Sequence, residues 1–327
     1  MTTAIAILNY NGAALLQQFL PSVLEHSENA KVYVIDNAST DDSLAVLAEA
    51  FPTVTPIALA ENTGYAGGYN KGLQQIDADV VCLLNSDIKT TSDWLLPISA
   101  FLETHPEVAM VQPKIKDLAK PDHFEYAGAA GGYLDIMGLP YCRGRVGRKC
   151  EKDSGQYDTN AQVTWASGAC LVVRKSVFDA LGGFDASFFM HFEEIDLCLR
   201  AQAKGHQVWA IGNSEVYHKG ASSLAQDNPR KLYYNIRNSL LTYTKTLPLA
   251  SLLWVYAVRA AFDTTLTLFY MVQLKFDHVH AIMRAYDAFF AHCRTAFSQR
   301  SFLRNPLKRF SVSVSYTHLR AHETPLH

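Results

Sequence analysis

Residues 4–59 read AIAILNYNGAALLQQFLPSVLEHSENAKVYVIDNASTDDSLAVLAEAFPTVTPIAL, in which three short apolar runs, Ala4–Leu8, Val32–Asp36 and Val54–Leu59, are separated by two stretches of helical spacing. In the first stretch Leu15, Leu16, Phe19, Leu20, Val23 and Leu24 recur at steps of three and four, one face of a helix. In the second, the polar ASTDD at 38–42 supplies N-cap and first-turn residues for a helix to about Ala50. The alternation continues through Val80–Leu84 and Val108–Gln112, with Ser92 expected to cap a helix running through about Glu103. Strands and helices alternating in this way predict an α/β fold with a mostly parallel sheet flanked by helices.

Beyond that stretch the pattern loosens. Lys116–Asn160 is rich in Gly, Pro and polar residues without a sustained period and reads as a long irregular excursion, a length that usually carries function. Val163–Val173 reads as a strand, Lys175–Leu181 as a short helix, and Glu193–Ala203 as a second helix closed by Gly205. After about Leu240 the composition shifts. Leu247–Gln273 is strongly apolar but interrupted by Arg259 and Asp263, so neither flank approaches the ~20 residues of a spanning helix. A helix lying in a bilayer interface or packed on the domain is expected instead. From Lys275 onward eight basic and three acidic residues (8 − 3) give a local charge of +5, suited to an anionic leaflet. The final Ser311–His327 has neither apolar period nor capping logic, resembles translated vector sequence, and is left out of the fold reading.

The formal charge of −2, from 29 basic and 31 acidic side chains, excludes a protein whose affinity comes mainly from nucleic-acid phosphates. The six cysteines form no CxxC pair and mostly lie in apolar runs, so they read as reduced. The opening MTTAIAILNY lacks a basic n-region, a long apolar h-region and a cleavage site, which points to the cytoplasm.

Four constellations can carry chemistry. Asp36 and Asp87 each close an apolar run, at the carboxyl ends of strands, where ligands gather in open α/β sheets. Between them ENTGYAGGYNKG, at 61–72, has the glycine density of either a tight turn or a phosphate cradle, without the dinucleotide GxGxxG spacing. Glu193, Glu194 and Asp196 open a helix. They either complement its positive end, with Asp196 pairing Arg200 at i,i+4, or raise one another's pKa so that one serves as a base near neutral pH. His218, after the run Val208–Ile211, is a surface or core histidine or, beside an aspartate and a diphosphate, a ligand for Mg²⁺ or Mn²⁺.

In chain order, AILNYNG (6–12), VIDNASTDDS (34–43), ENTGYAGGYNKG, VVCLLNSDI (80–88), WASGACLVVR (165–174), GGFDASFFMHFEEIDLCLRAQAKGH (182–206), VYHKGASS (216–223) and YYNIRNSLL (233–241) resemble family-2 glycosyltransferases of the GT-A fold, the rhamnosyltransferase-like branch in particular. The resemblance implies a catalytic domain over 1–241, with a nucleotide-sugar half to about 115 and an acceptor half from 116. It leaves 242–310 as a helical, membrane-facing appendage.

It further implies that Asp36 binds the nucleotide base, that Asn9 and Asn11 line the same pocket, and that Asn62, Gly64 and Gly68 shape its wall. Asp87 takes the metal-binding place of a DxD-type motif, here Asn85-Ser86-Asp87 with an amide for the first acid, and His218 joins it on Mg²⁺ or Mn²⁺. Glu194 falls at the catalytic-base position, usually Asp, with Glu193 and Asp196 as supporting or acceptor-binding acids. Trp165 and Gly168 border donor sugar and acceptor, and Arg237, with Tyr234, approaches the diphosphate. The implied activity is inverting transfer from a dTDP-rhamnose or UDP-sugar donor to a hydroxyl of a cell-surface polysaccharide or lipid-linked glycan, at the cytoplasmic face of the plasma membrane. Two other readings compete. A sugar nucleotidyltransferase would carry a Gly-rich basic loop after the first strand, which AILNYNGAALL lacks; a non-catalytic nucleotide-sugar-binding protein would not need Asp87, Glu194 and His218.

Overall fold

The computed structural model describes residues 1–27, 30–146, 149–220 and 228–301. Its first half contains β1 (Thr3–Asn9), α1 (Ala13–Glu25), β2 (Ala30–Asp36), α2 (Ser43–Ala50), β3 (Thr55–Ala58), α3 (Gly64–Gly72), β4 (Val80–Asn85), β5 (Ile88–Thr90), α4 (Leu96–Thr104) and β6 (Val108–Asp117). The excursion holds small hairpins of β7 (Gly132–Leu134) with β8 (Pro140–Cys142) and β9 (Arg145–Val146) with β10 (Lys149–Cys150). There follow β11 (Ala161–Gln162), β12 (Cys170–Arg174), α5 (Lys175–Ala180), α6 (Glu193–Ala203), β13 (Gln207–His218), α7 (Pro229–Thr246), α8 (Leu249–Val272) and α9 (Phe276–Ser298).

The main sheet runs β11-β13-β6-β12-β4-β1-β2-β3, with β5 paired to β13. It is more mixed than expected. Parallel pairing joins β3, β2, β1 and β4, and β6 to β13, but β12 lies antiparallel between β4 and β6. The chain reaches β12 by returning from the long excursion, so no crossover helix sets a parallel direction there. Along β1 the pleat sends Ile5 and Ile7 to one core with Leu16 and Leu20 of α1, and Ala4 and Ala6 to the other with Tyr69 of α3. The small alanines leave room for the Tyr69 ring, whose hydroxyl lies 3.3 Å from the Ala6 carbonyl oxygen and 3.2 Å from that of Leu84.

Several local expectations are corrected. The expected strand Val163–Val173 is broken, because residues 163–169 leave the ladder: Ser167 N–H donates to Gln112 Oε1 at 2.7 Å, and Trp165 bridges to Gly132. Ser92 does not cap α4, which starts at Leu96 with Pro97 in its first turn and no side-chain cap. Asp41, rather than the N-cap Asp42, fastens α2: its carboxylate accepts from Ser43 N–H and Ser43 Oγ, and from Ala13 N–H at the start of α1. The boundary expected at 241 falls inside α7, which packs along α9. The apolar run is one 24-residue helix, α8, long and apolar enough by length and composition to cross a membrane. Its two charges are turned inward and paired, Arg259 Nη2 to Asp263 Oδ2 at 3.1 Å. All six cysteines are free, and residues 311–327 lie outside the described residues.

Candidate active site

Sheet register brings the site together. Asn9 stands opposite Asp36 and Leu8 opposite Asn85, so the carboxyl ends of β2, β1 and β4 meet at one edge. Asp36 is buried there, its Oδ1 accepting from Asn9 Nδ2 at 3.1 Å and its Oδ2 from Ser39 N–H at 3.0 Å. Asn11 has φ 51°, and its Oδ1 accepts from Thr40 N–H at 2.7 Å. These residues build one hydrogen-bonded corner at the end of the strands.

From Gly64 onward the glycine-rich segment is helix α3, and its glycines serve close packing. Gly64, at φ 73°, accepts the backbone of Phe189 where a Cβ would overlap the Phe189 carbonyl oxygen, and Tyr65 N–H donates to that oxygen at 2.8 Å. Gly68 leaves room for Leu8, and Asn62 Oδ1 accepts from Asn37 Nδ2 and Gly64 N–H. Gly64→Ala should therefore cost about 1–3 kcal/mol, from positive-φ strain plus the backbone clash; urea unfolding at an unchanged midpoint would contradict this account.

Beyond the strand ends lies a cavity of about 600 Å³. Asn85, Trp165, Ser167, Gly168, Glu193, Glu194 and His218 all line it. His191 and Phe192 both take positive φ, 65° and 75°, an unusual turn that starts α6 at the cavity wall. Asn238 of α7 holds this turn, donating from Nδ2 to the carbonyls of Met190 and His191 at 3.1 and 2.7 Å. Glu193 Oε2 and Glu194 Oε2 are enclosed without a hydrogen-bond partner among the described residues. Burial pushes the Glu194 carboxyl up to about 7, and burial together with the neighbouring Glu194 charge pushes Glu193 well above the carboxylate range. Tyr65 O–H donates to the Gly168 carbonyl at 2.6 Å, closing the wall beside them.

Asp196 departs from the expected supporting role. It is fully buried away from the cavity, with Oδ2 2.7 Å from Arg200 Nε and Oδ1 2.5 Å from Lys245 Nζ. Burial alone would raise its pKa, but the Lys245 and Arg200 charges outweigh that and hold it below the usual carboxylate range. Arg237 also departs from expectation: it does not line the cavity, donating instead to the Ser187 carbonyl at 2.7 Å and to Asn238 Oδ1. Tyr234 stacks on Phe189.

β13 carries His218 to Asp87, with Nε2 and Oδ1 3.0 Å apart, while Nδ1 faces Glu125 Oε1 at 3.5 Å. Burial opposes charge on this ring, but the two carboxylates prevail and push its pKa up to about 10. At neutral pH a proton therefore occupies the place between Asp87 and His218. Among the described residues no three His, Cys, Asp or Glu side chains converge as a ready metal site. The carboxylate oxygen and the imidazole nitrogen are nonetheless a suitable donor pair for Mg²⁺ or Mn²⁺ once that proton is displaced. Glu125, which the irregular excursion gave no means of singling out, is the group sequence reasoning missed, along with Lys231 and Arg145 on the cavity wall.

Comparison with known proteins adds to this geometry. The family model described as Glycosyl transferase family 2 matches residues 4–182. An N-acetylglucosaminyl-diphospho-decaprenol L-rhamnosyltransferase of Mycobacterium tuberculosis is 26% identical over 242 residues, 68% of this chain and 78% of that protein. S. aureus TarS 1–349 in complex with UDP-GlcNAc superimposes with a TM-score of 0.56 at 15% identity, covering 97% of this chain and 92% of that one. GalNAc-T7 with UDP, GalNAc and Mn²⁺ gives a TM-score of 0.57 at 15% identity over 74% of this chain, which spans 47% of that protein's chain.

Proposed function

Because the chain belongs to glycosyl transferase family 2, we propose that it moves a sugar from a nucleoside-diphosphate donor to a hydroxyl of a polysaccharide or lipid-linked glycan, with inversion and with Glu194 as the base. The observation that carries this reading is a pair of enclosed carboxyl oxygens on α6 with no hydrogen-bond partner among the described residues, one belonging to a group whose burial pushes it up to about 7. Such a group takes the acceptor hydroxyl's proton at neutral pH. The freed oxygen then bonds to the anomeric carbon as the bond from that carbon to the diphosphate breaks, and the electron pair leaves with the diphosphate. Attack opposite the leaving group inverts the centre.

Asn9, Asn11, Asp36 and Asn62 are the proposed nucleotide end, Asn85 and Asp87 the diphosphate end, and Trp165 with Gly168 the border between donor sugar and acceptor. Asp87 and His218 would hold Mg²⁺ or Mn²⁺, which supplies countercharge to a departing diphosphate. Lys231, a half-buried ammonium on the same wall, takes the electrostatic part first expected of Arg237. The names of the relatives support the substrate classes: a diphospho-decaprenol acceptor for the mycobacterial enzyme, UDP-GlcNAc for TarS and Mn²⁺ for GalNAc-T7. The test is release of nucleoside diphosphate from dTDP-rhamnose and UDP-sugars with Mg²⁺ or Mn²⁺, with the product's anomeric configuration read by NMR. Retention of configuration would sink the single-displacement mechanism.

The enzyme is proposed to work at the cytoplasmic membrane face. α8 turns Leu253, Trp254, Leu268 and Phe269 outward, each more than half exposed at 59, 56, 58 and 54%. Sinking them into acyl chains contributes roughly 1.5–3 kcal/mol for each side chain fully buried. Leu253→Glu with Phe269→Glu should therefore lower cosedimentation with anionic vesicles about tenfold or more; unchanged binding would refute the interfacial role. Point changes test this better than truncation after residue 246, because α9 packs along α7.

A further inference from the structure

The cavity has a second polar wall that the transfer chemistry does not use. It comes from α8, apart from the α6 wall of Glu193 and Glu194, and carries Arg259, Phe262, Asp263 and Tyr270 under the β7–β8 hairpin. The Arg259 and Asp263 side chains are 10% and 2% exposed and form an i,i+4 pair. Tyr286 O–H also donates to Asp263 Oδ2, at 2.9 Å. The pairing is incomplete on both sides: Arg259 Nε and Asp263 Oδ1 are enclosed without a hydrogen-bond partner among the described residues. Buried charges in an otherwise apolar helix are costly, and leaving one donor and one acceptor unmet adds to the cost.

A ligand that completes this wall must both accept a hydrogen bond, from Arg259 Nε–H, and donate one, to Asp263 Oδ1. A sugar hydroxyl does both, and so does an acetamido group. A diphosphate diester offers only acceptors near neutral pH, and the negative charge of any phosphate would meet the Asp263 carboxylate. The pair is neutral overall, which again suits an uncharged polar group, and Phe262 and Tyr270 supply rings against which the apolar face of a pyranose can rest.

We propose that the α8 wall is a second acceptor subsite, holding a sugar ring other than the reacting one, with Arg259 and Asp263 as positioning residues for acceptors of two or more rings. The proposal rests on the glycosyl-transfer reading and specifies its acceptor.

A glycan array probed with the full chain in the presence of UDP tests it. Oligosaccharides of two or more rings should be retained, and single sugars not. The double variant Arg259→Met with Asp263→Leu removes both charges together, so no lone buried charge threatens the fold. It should retain the same oligosaccharides about tenfold more weakly, the loss expected for hydrogen bonds to charged groups. A thermal midpoint near that of the wild type certifies the fold, and Phe262→Ala, at a half-exposed ring, offers a milder second variant with a several-fold loss. The proposal is overturned if the double variant binds as well as the wild type, if retention requires a phosphate on the glycan, or if the wild type retains single sugars equally or no glycan at all. Release of nucleoside diphosphate from donor by the wild type, with a hydroxyl of the array's glycans or water taking the sugar, separates the two readings. If it proceeds while the array result is negative, the subsite fails and glycosyl transfer stands; if no donor is turned over, the transfer reading itself fails.

Discussion

Glu194→Gln is expected to lower transfer by about 10²- to 10⁴-fold, the usual contribution of a positioned general base. That factor corresponds to roughly 3–5 kcal/mol of barrier. The substitution keeps the side chain's length and one acceptor oxygen but removes its capacity to take a proton. Donor affinity should stay nearly unchanged, since Glu194 is not among the groups proposed to meet nucleotide or diphosphate. The pH profile supplies an independent readout. Burial raises the Glu194 carboxyl to about 7, so below that value it holds its own proton and cannot accept another. The wild-type rate should rise as pH passes upward through about 7, and the residual rate of Glu194→Gln should lack that limb. Glu193→Gln discriminates between the neighbours, because with Glu194 intact the limb persists. If Glu193→Gln abolished turnover and the limb while Glu194→Gln kept both, the base assignment would move by one residue.

Much of the architecture was legible because its signals are local. The apolar runs Val32–Asp36 and Val80–Leu84 had strand length and β-branched content, and the register then aligns their carboxyl ends with that of β1 at one edge. The direction of β12 was not legible, because antiparallel insertion between β4 and β6 depends on where the long excursion returns. Of the acids opening α6, residue type alone could not separate Glu194 from Asp196. Their fates differ because α7 delivers Lys245 to one and the cavity wall encloses the other. The motif around Arg237 pointed to the right helix but the wrong neighbour: Arg237 caps the Ser187 carbonyl, whereas Asn238 holds the positive-φ turn that aims Glu193 and Glu194. The glycines of 61–72 left a tight turn and a phosphate cradle equally open, because glycine allows close backbone approach to either kind of partner, and the approach seen at Gly64 is to Phe189.

Lys245→Ala should produce the largest loss of stability, about 3–5 kcal/mol, out of a total that for most domains is only ~5–15 kcal/mol. Lys245 is 2% exposed, and its ammonium lies 2.5 Å from Asp196 and 2.7 Å from Asp185. Removing it leaves Asp196 buried with Arg200 and the Thr242 hydroxyl as partners. The effect should depend on pH in a defined direction. The Lys245 and Arg200 charges hold the Asp196 carboxyl below its unfolded value, so the stability this group contributes is present above about pH 4 and is lost as pH falls through the lower folded value. The variant, lacking one of the two charges, should lose less on acidification, so urea midpoints of the two proteins converge toward low pH. The double variant Lys245→Met with Asp196→Leu should recover part of the loss, because the buried Asp196 carboxylate is removed together with its ammonium, while Arg200 and Asp185, both more exposed, each lose one ion-pair partner; a stability no better than that of Lys245→Ala would mean that packing, not charge, dominates the site. The consequence reaches catalysis, since Asp196 stands two residues after Glu194 on the same short helix. An Asp196 carboxylate that has lost its ammonium and is drawn toward water would turn the start of α6, and with it the carboxyl proposed to take the acceptor's proton. Lys245→Ala, assayed where it is still folded, should therefore lose turnover while donor affinity is retained, although Lys245 is not itself placed at the reacting atoms.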